Sequence, residues 1–513
     1  MDNKYIAGCI IIVILFFVYQ LGQAQNYGDF PYSQSFRTET KPEEIDIVTP
    51  QNSGIQNDAT FTSEGLRLTS NETGRFGAVF IGDHQFQSIQ GIRIEFEYLM
   101  YGGSGADGMC VFFFDASINN PVIGSVGSAL GYTYNRTNLY YAVNRATGLS
   151  GAYLCIALDS YGNFKNRFWQ GDSRINGIPD ISGDLGDRYI SNVTLRGARG
   201  GSVQVSDFES IDGMEDGYMG YPVLISQPTL GNNEGWQLDE TGGNYFPINT
   251  YSGDFNLRGE DQSDYRKAII EIFPLDSNEG FEITVKIQHG ETETIVINDY
   301  PYRRFVEYAE NAYDLEGDNI IGGSVYPEST TTILDATIPM YLRVGFAAST
   351  GGETDIHLLR ELKISLPSSA EAYDDYASTI RMEPVIIDVL DNDIGYSGQI
   401  TKTQIGDKEH INPNSFRFCD DSGEFLGIVD NDMTVYGTTE GNWLFNFQEG
   451  KLTFTPASNF IGLATVRYSI KSKDETGEPY DDEAYRSPPA TVNVNVSPFQ
   501  TIISNRMVTP VIK

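Results

Sequence analysis

Four segments in the N-terminal two thirds of the chain carry side chains that could act together. Gly105-Ala106-Asp107-Gly108 precedes an apolar run, Cys110 to Phe114, and Asp159-Ser160-Tyr161-Gly162-Asn163 follows another, Tyr153 to Leu158. Gly127-Ser128-Ala129-Leu130-Gly131 is a glycine-rich loop, and Val344 to Gly351 runs from a strand pattern into a turn. Together they offer a carboxylate (Asp107), backbone N–H donors, a side-chain amide (Asn163) and an aromatic face (Tyr161). A sugar asks for those groups: acceptors and donors for its hydroxyls, and a flat apolar surface for its C–H face. Asp159, the Tyr161 carbonyl and the Asn163 side chain also place oxygens at alternate positions of one loop, which suits a hard cation such as Ca²⁺.

Covalent chemistry finds less support. A retaining glycosidase needs two carboxylates about 5–5.5 Å apart, and the nearest candidate string, Glu44-Ile45-Asp46-Ile47-Val48-Thr49, lacks the second Glu. Glu95 and Glu97 share a strand face with Arg93 and read as a solvated charged face. The sequence has no G-x-S-x-G elbow, H-E-x-x-H pair, Walker loop or Cys-His metal spacing,. The chain therefore reads as a binding protein and not an enzyme.

The elements that would carry these residues are strands. Ile92, Ile94, Phe96 and Tyr98 alternate with Arg93, Glu95 and Glu97; Phe281, Ile283, Val285 and Ile287 alternate with Glu282, Thr284, Lys286 and Gln288. This period of two, broken by Gly, Asn, Asp and Ser clusters and with no amphipathic helix longer than two turns, predicts an all-β chain of packed sheets. With 34 Lys+Arg against 70 Asp+Glu, the formal charge of −36 over 513 residues argues against nucleic acid or an anionic membrane as partner,. Lys4, the apolar run Ile6 to Tyr19 and Gly22-Gln23-Ala24 read as a signal peptide over residues 1–24,. The expectation is a secreted or cell-surface protein with no membrane span after cleavage. Cys110 and Cys155 are equally compatible with a cross-strand disulfide and with two buried thiols. Sequons stand at Asn71, Asn135 and Asn192. A short linker at Leu366-Pro367-Ser368-Ser369-Ala370 predicts a second domain over 370–497, with 498–513 as a tail.

Taken in order, Ala-Asp-Gly before a strand, the Leu-Gly loop, D-x-Y-x-N after a strand, and Val-Gly-Phe-Ala-Ala-Ser-Thr-Gly with Asp355-Ile356-His357 resemble the legume-type (L-type) lectins. Leu-Asp-x-Tyr-Gly-Asn-Phe and Val193-Thr194-Leu195-Arg196-Gly197 bring the resemblance closest to the bacterial branch of that superfamily. It covers roughly residues 26–367 and implies a concanavalin-like jelly-roll β-sandwich, with about 100 extra residues placed around 205–335. It also implies roles. Asp107 would be the saccharide carboxylate, Ser128 the backbone donor, Tyr161 the stacking ring, and Asn163 a ligand of both sugar and Ca²⁺. Asp159 and the Tyr161 carbonyl would bind Ca²⁺, with Asn166 or Asp172 as the remaining ligand, while Gly351 and Gly352 would tune sugar choice. Ala157 stands where plant lectins have a transition-metal Glu, so a single Ca²⁺ is implied. Leu362 replaces a Trp of the plant pattern, and His357 reads as a core hydrogen-bonding residue.

Residues 370–497 resemble the fibril-type and cadherin-like repeats of bacterial surface adhesins, through Val389-Leu390-Asp391-Asn392-Asp393 and Thr453-Phe454-Thr455-Pro456 followed by Phe460-Ile461-Gly462. That implies a smaller Ig/cadherin-like β-sandwich acting as a spacer. Asp388, Asp391 and Asp393, with Asp374 and Asp375, are either a Ca²⁺ site at the domain junction or a solvated acidic loop. The whole implies a lectin or adhesin whose partners are glycans or polysaccharide and a cell-surface anchor.

Overall fold

A computed structural model describes residues 27–51, 54–134, 146–165, 190–200, 219–231, 235–239, 243, 245–275, 279–311, 329–396, 406–474 and 476–498. Residues 1–24, expected from sequence to be a signal peptide, Asn135, Asn166, Asp172 and residues 499–513 lie outside them. Among the described residues the regular elements are strands and 3₁₀ turns, so the chain is all-β as the alternation predicts. No helix among them is long and apolar enough to cross a membrane.

Two large antiparallel sheets face each other. One runs in the order Thr292–Arg303, Gly280–His289, Arg266–Pro274, Ile92–Tyr101, Ile356–Ser365, Gly65–Thr69 and Thr60–Thr62, with Tyr32–Gln34 also on Ile356–Ser365. The other runs Tyr245–Ile248, Gly235–Leu238, Val223–Pro228, Asn192–Arg196, Ala152–Asp159, Gly108–Asp115, Tyr341–Ser349, Phe76–Ile81 and Ile45–Ile47, with Phe86–Gln87 also on Tyr341–Ser349. These crossings make a jelly-roll sandwich. The stretch around 205–335 supplies strands to both sheets, so its described parts widen the sandwich.

The two central strands explain why their sequences are apolar throughout. Met109, Val111, Phe113, Leu154, Ile156 and Leu158 point into the core between the sheets. The alternate residues Cys110, Phe112, Phe114, Cys155 and Ala157 pack on the other side beneath loop residues Tyr132, Tyr134 and Tyr221. A strand buried on both faces cannot show polar alternation. Cys110 and Cys155 are both free. Their register is offset, with Cys110 opposite Ala157 and Phe112 opposite Cys155, and Cys110 Sγ donates to the Leu130 carbonyl at 3.2 Å.

The last quarter or so of the chain is a second, smaller sandwich. One sheet orders Asp375–Ile380, Ala490–Ser497, Gly462–Ser472, Ile411–Cys419 and Phe425–Leu426; the other orders Val385–Ile387, Lys451–Pro456, Gly441–Asn446, Met433–Gly437 and Ile428–Asp430. Trp443, Phe416, Phe445, Phe454 and Tyr468 fill its core. The segment read as a linker is buried: Leu366, Ser368, Ser369 and Ala370 are all inside, and Ser369 Oγ donates to the Ala484 carbonyl at 3.3 Å. The expectation of a solvated face at Glu95 also needs correcting. Arg93 Nη1 reaches across to Glu371 of the second sandwich at 2.8 Å, and the same guanidinium pairs with Glu95 at 2.6 Å and Glu271 at 2.7 Å. Burial alone would raise Glu95, but Arg93, with Lys267 and Lys363 nearby, holds it at about 2. Glu95 and Glu97 instead line a polar cavity of about 580 Å³ at the junction.

The five acidic residues of the second sandwich do not converge on one point. Asp388 pairs with Lys451 at 3.0 Å and Asp391 with Lys408 at 2.5 Å, both at the surface. Asp393 and Asp375 turn inward and share the Tyr468 hydroxyl, at 2.9 and 3.1 Å. One proton cannot serve both carboxylates, and burial pushes each up to about 7. The folded chain thus holds protons that the unfolded chain releases near pH 4, so this pair's stabilisation is full at low pH and declines as pH rises from about 4 to 7. Between pH 5.5 and 7.5 the two carboxyls should cost about 4 kcal/mol together, and the unfolding midpoint of the second sandwich should fall by roughly 10 °C or more. Asp393→Asn should remove about half of that slope in a pH series of thermal melts.

Candidate functional site

The four segments picked out from sequence meet at one end of the large sandwich. Asp107 sits just before the strand Gly108–Asp115, with its N–H donating to the Ser349 carbonyl at 2.8 Å. Its own carbonyl accepts from the Tyr161 N–H at 3.1 Å. The Ala106–Asp107 peptide is cis. Glycine at 108 follows from crowding and backbone shape together. Its φ is +137°, and a Cβ there would lie 2.5 Å from the Leu158 carbonyl oxygen, so only glycine lets Asp107 press against the end of the neighbouring strand.

The Asp107 side chain is buried, and burial pushes its carboxyl up to about 6, against a hydrogen bond from Asn163. That bond runs from Asn163 Nδ2 to Asp107 Oδ1 at 3.1 Å. Among the described residues the other oxygen, Asp107 Oδ2, has no partner, and neither does the buried Asn163 Oδ1. Two adjacent side chains thus each keep one buried polar atom open, which is uncommon unless something else binds there. Gly351 faces the same carboxylate: a Cβ on it would lie 3.6 Å from Asp107 Oδ1. Gly352 is exposed, with nothing within 4 Å of its would-be Cβ. Tyr161 is half-buried at the rim.

The glycine-rich loop closes another side. Gly127–Ala129 forms a 3₁₀ turn, and the Gly127 N–H is taken by Ser349 Oγ at 2.9 Å. The Ser128 N–H lies in the first turn, where no intrahelical acceptor exists. Asp107, Ser128, Tyr161, Asn163, Gly351 and Gly352 therefore all belong to linked loops at this end.

Asp159 is fully buried at the end of the strand Ala152–Asp159. Its Oδ1 accepts from the Gly162 N–H at 2.8 Å and its Oδ2 from the Phe164 N–H at 3.1 Å. Burial raises its carboxyl to about 7, against the charge of buried Lys165 and the backbone donors. The loop is clamped from behind by buried Arg196, whose Nη2 donates to the Phe164 carbonyl at 2.5 Å. Among the described residues no three His, Cys, Asp or Glu side chains come together to hold a metal. Both Asp159 oxygens are taken by the loop's own N–H groups, and the open oxygen beside this loop is Asn163 Oδ1, a donor of the type a hard cation takes,.

The surrounding groups are structural. His357 is fully buried, with Nδ1 2.6 Å from Thr69 Oγ1, and burial lowers it to about 4, so it is neutral. The Asn71 sequon is occupied by hydrogen bonds to Gly102 and Thr354, and Asn192 is buried in a strand. Sequence reading passed over Ser349, whose hydroxyl bonds both Gly127 and Arg75, and Arg258. Ser349 lay in a quoted motif, but Arg258 had no local signal at all.

No known protein family matches the chain, and no curated protein does. Among solved structures it is similar to the exoplasmic/lumenal domain of VIP36 in its Ca²⁺/Man3GlcNAc-bound form, at 13% identity over 65% of this chain and 90% of that one, with a TM-score of 0.32. It is also similar to lectin II from Ulex europaeus, at 12% identity over 66% and 98% with a TM-score of 0.32. Peanut lectin with a 9mer peptide matches at 13% identity over 65% and 96%, with a TM-score of 0.31.

The Asp159 carboxylate satisfies its own loop from inside. Asp159→Ala should therefore cost about 2–4 kcal/mol, since two buried N–H donors lose their acceptor. Denaturant titration of the full chain would measure it, and a cost under about 0.5 kcal/mol would contradict the geometry.

Proposed function

We propose that the chain is a carbohydrate-binding protein of the L-type lectin kind, exported to the cell surface or medium, with no covalent chemistry of its own. The observation that carries this reading is the pair of open buried oxygens, Asp107 Oδ2 and Asn163 Oδ1, beneath a glycine and a half-exposed tyrosine. Asp107 accepts from sugar hydroxyls, the Ser128 N–H and the Asn163 amide donate, and the Tyr161 ring covers the C–H face. With no side chain at Gly351, none from that position stands over the carboxylate, and Gly352 leaves room for the ligand's far edge.

A Ca²⁺ ion belongs to this reading, held by Asp159, the Tyr161 carbonyl, Asn163 and Asp172. When bound, it would supply positive charge and fixed geometry to the Asn163 end of the loop. The second sandwich serves as a short spacer of the adhesin type, and a glycan-bearing surface is the partner. A shallow site with few sugar contacts gives weak single-site binding, so many copies on one surface would raise avidity.

Glycan-array binding by the full chain tests this, with Ca²⁺ and with chelator. Binding that Asp107→Ala abolishes and chelation weakens at least about tenfold is the expected result, the loss of one buried charged acceptor being worth that much. Folded protein that binds no glycan would favour a structural adhesin, and reducing ends that accumulate with time would instead reveal a hydrolase.

A further inference from the structure

Polar contacts between the Asp107 loop and the Gly351 loop converge on one buried carboxylate. Asp355 is fully buried, and its Oδ1 accepts from the Gly103 N–H at 2.9 Å. Its other donors belong to Arg258: Nε reaches Oδ2 at 2.6 Å and Nη2 reaches Oδ1 at 2.8 Å. The same Nη2 donates to the Gly103 carbonyl at 2.8 Å. The guanidinium also lies against Gly105, where a Cβ would stand 3.4 Å from Nη1. Three further bonds join the loops: Gly105 N–H to the Thr354 carbonyl at 3.0 Å, Thr354 N–H to Ser104 Oγ at 3.0 Å and Asp107 N–H to the Ser349 carbonyl at 2.8 Å. One planar fork therefore joins these bonds in fixing the spacing between the residues just before Asp107 and those just after Gly352. A lysine ammonium could pair with Asp355 but could not repeat the fork.

Arg258 comes from a strap, Phe255 to Gly259, within the stretch that widens the sandwich. The strap is fastened on both banks of the site. Gly259 N–H bonds the Met100 carbonyl at 2.9 Å and Phe255 N–H the Thr229 carbonyl at 2.8 Å. Leu257 N–H bonds Ser191 Oγ at 2.9 Å, and the Ser191 N–H in turn holds the Ser160 carbonyl at 3.0 Å, next to Asp159. Phe255 stacks on His289 at 4.0 Å, and Arg266 Nη2 donates to the Arg258 carbonyl at 2.9 Å.

We propose that Arg258 is a positioning residue for ligand recognition at Asp107, holding the Asp107 and Gly351-Gly352 loops at their binding distance before any ligand arrives. This rests on the saccharide reading of the site. Pre-set loops bind more tightly because less ordering is left to the binding step.

The test compares full-length wild type, Arg258→Lys and Asp107→Ala. Hydrogen exchange by mass spectrometry is read over residues 101–109, with 281–289 as an internal reference, and binding is read on mannose- and galactose-bearing polymers. Arg258→Lys should speed exchange over 101–109 at least about tenfold, by loosening a local unit. It should leave 281–289 unchanged and weaken polymer binding about tenfold. Unchanged exchange over 101–109 overturns the proposal, and so does an equal rise in both segments, which would mean general destabilisation. Should neither polymer bind wild type, the saccharide reading loses support for those sugars, while the exchange comparison still decides whether Arg258 sets the loop geometry.

Discussion

Asp107 is held inside the protein with one carboxylate oxygen bonded to a single amide and the other bare. Burying a carboxylate so poorly satisfied costs several kcal/mol, and its carboxyl rises to about 6 as a consequence. Left to relax, such a side chain would swing outward or draw a donor inward. The surroundings prevent both. Gly108 pins the backbone against Leu158, the Asp107 N–H and carbonyl are taken by Ser349 and Tyr161, and Asn163 holds one oxygen. The rest of this end of the molecule can be understood as the means of keeping that arrangement in place.

Two different kinds of force share the task. The strands are placed by burial, because the central pair, Gly108–Asp115 and Ala152–Asp159, feeds one core with alternate residues and a second core with the rest. A slip of one residue would swap two sets of side chains of unequal size, so register is strongly specified. The loops are placed by polar contacts. Ser349 bonds Gly127 and Arg75, Thr350 bonds Arg75 and Glu72, and Asp355 gathers Gly103 and Arg258. Such contacts tolerate changes in loop length and sequence while holding particular atoms in position, so the strands can stay fixed while the site varies.

Legibility from sequence follows the same division. Alternating strands such as Ile92 to Tyr98 announce themselves, and the motifs around Asp107, Asp159 and Val344 to Gly351 lie on the strand ends that the apolar runs predict. The features that escaped reading depend on residues far apart in the chain. Arg258 is a single cation in a stretch without a motif, and its partner Asp355 lies 97 positions away. Leu366 to Ala370 has the composition of an exposed linker, yet Ala484 and Tyr485 of the second sandwich pack onto the large core and help to cover the junction. Arg93 alternates with Glu95 and Glu97 as on a solvent-facing strand, and only the arrival of Glu371 makes that face an interface. Local pattern cannot signal a contact whose other half is set by tertiary packing.

The division bears on how a cation and the protein's own contacts would share the site. The Asp159 loop is closed by bonds from Gly162 and Phe164, and Arg196 grips it from behind. The Asp107 and Gly351 loops are joined through Asp355 and Arg258. What none of these contacts reaches is Asn163 Oδ1, buried and open, on the side chain that also steadies Asp107. A hard cation there would therefore act less by folding the loops than by fixing one amide. With its oxygen engaged, Asn163 could no longer turn over, and Nδ2 would stay directed at Asp107 and whatever binds beside it. On the proposed reading, a cation's influence on a ligand would pass through the Asn163 side chain, while the spacing of the loops is left to the protein's own contacts.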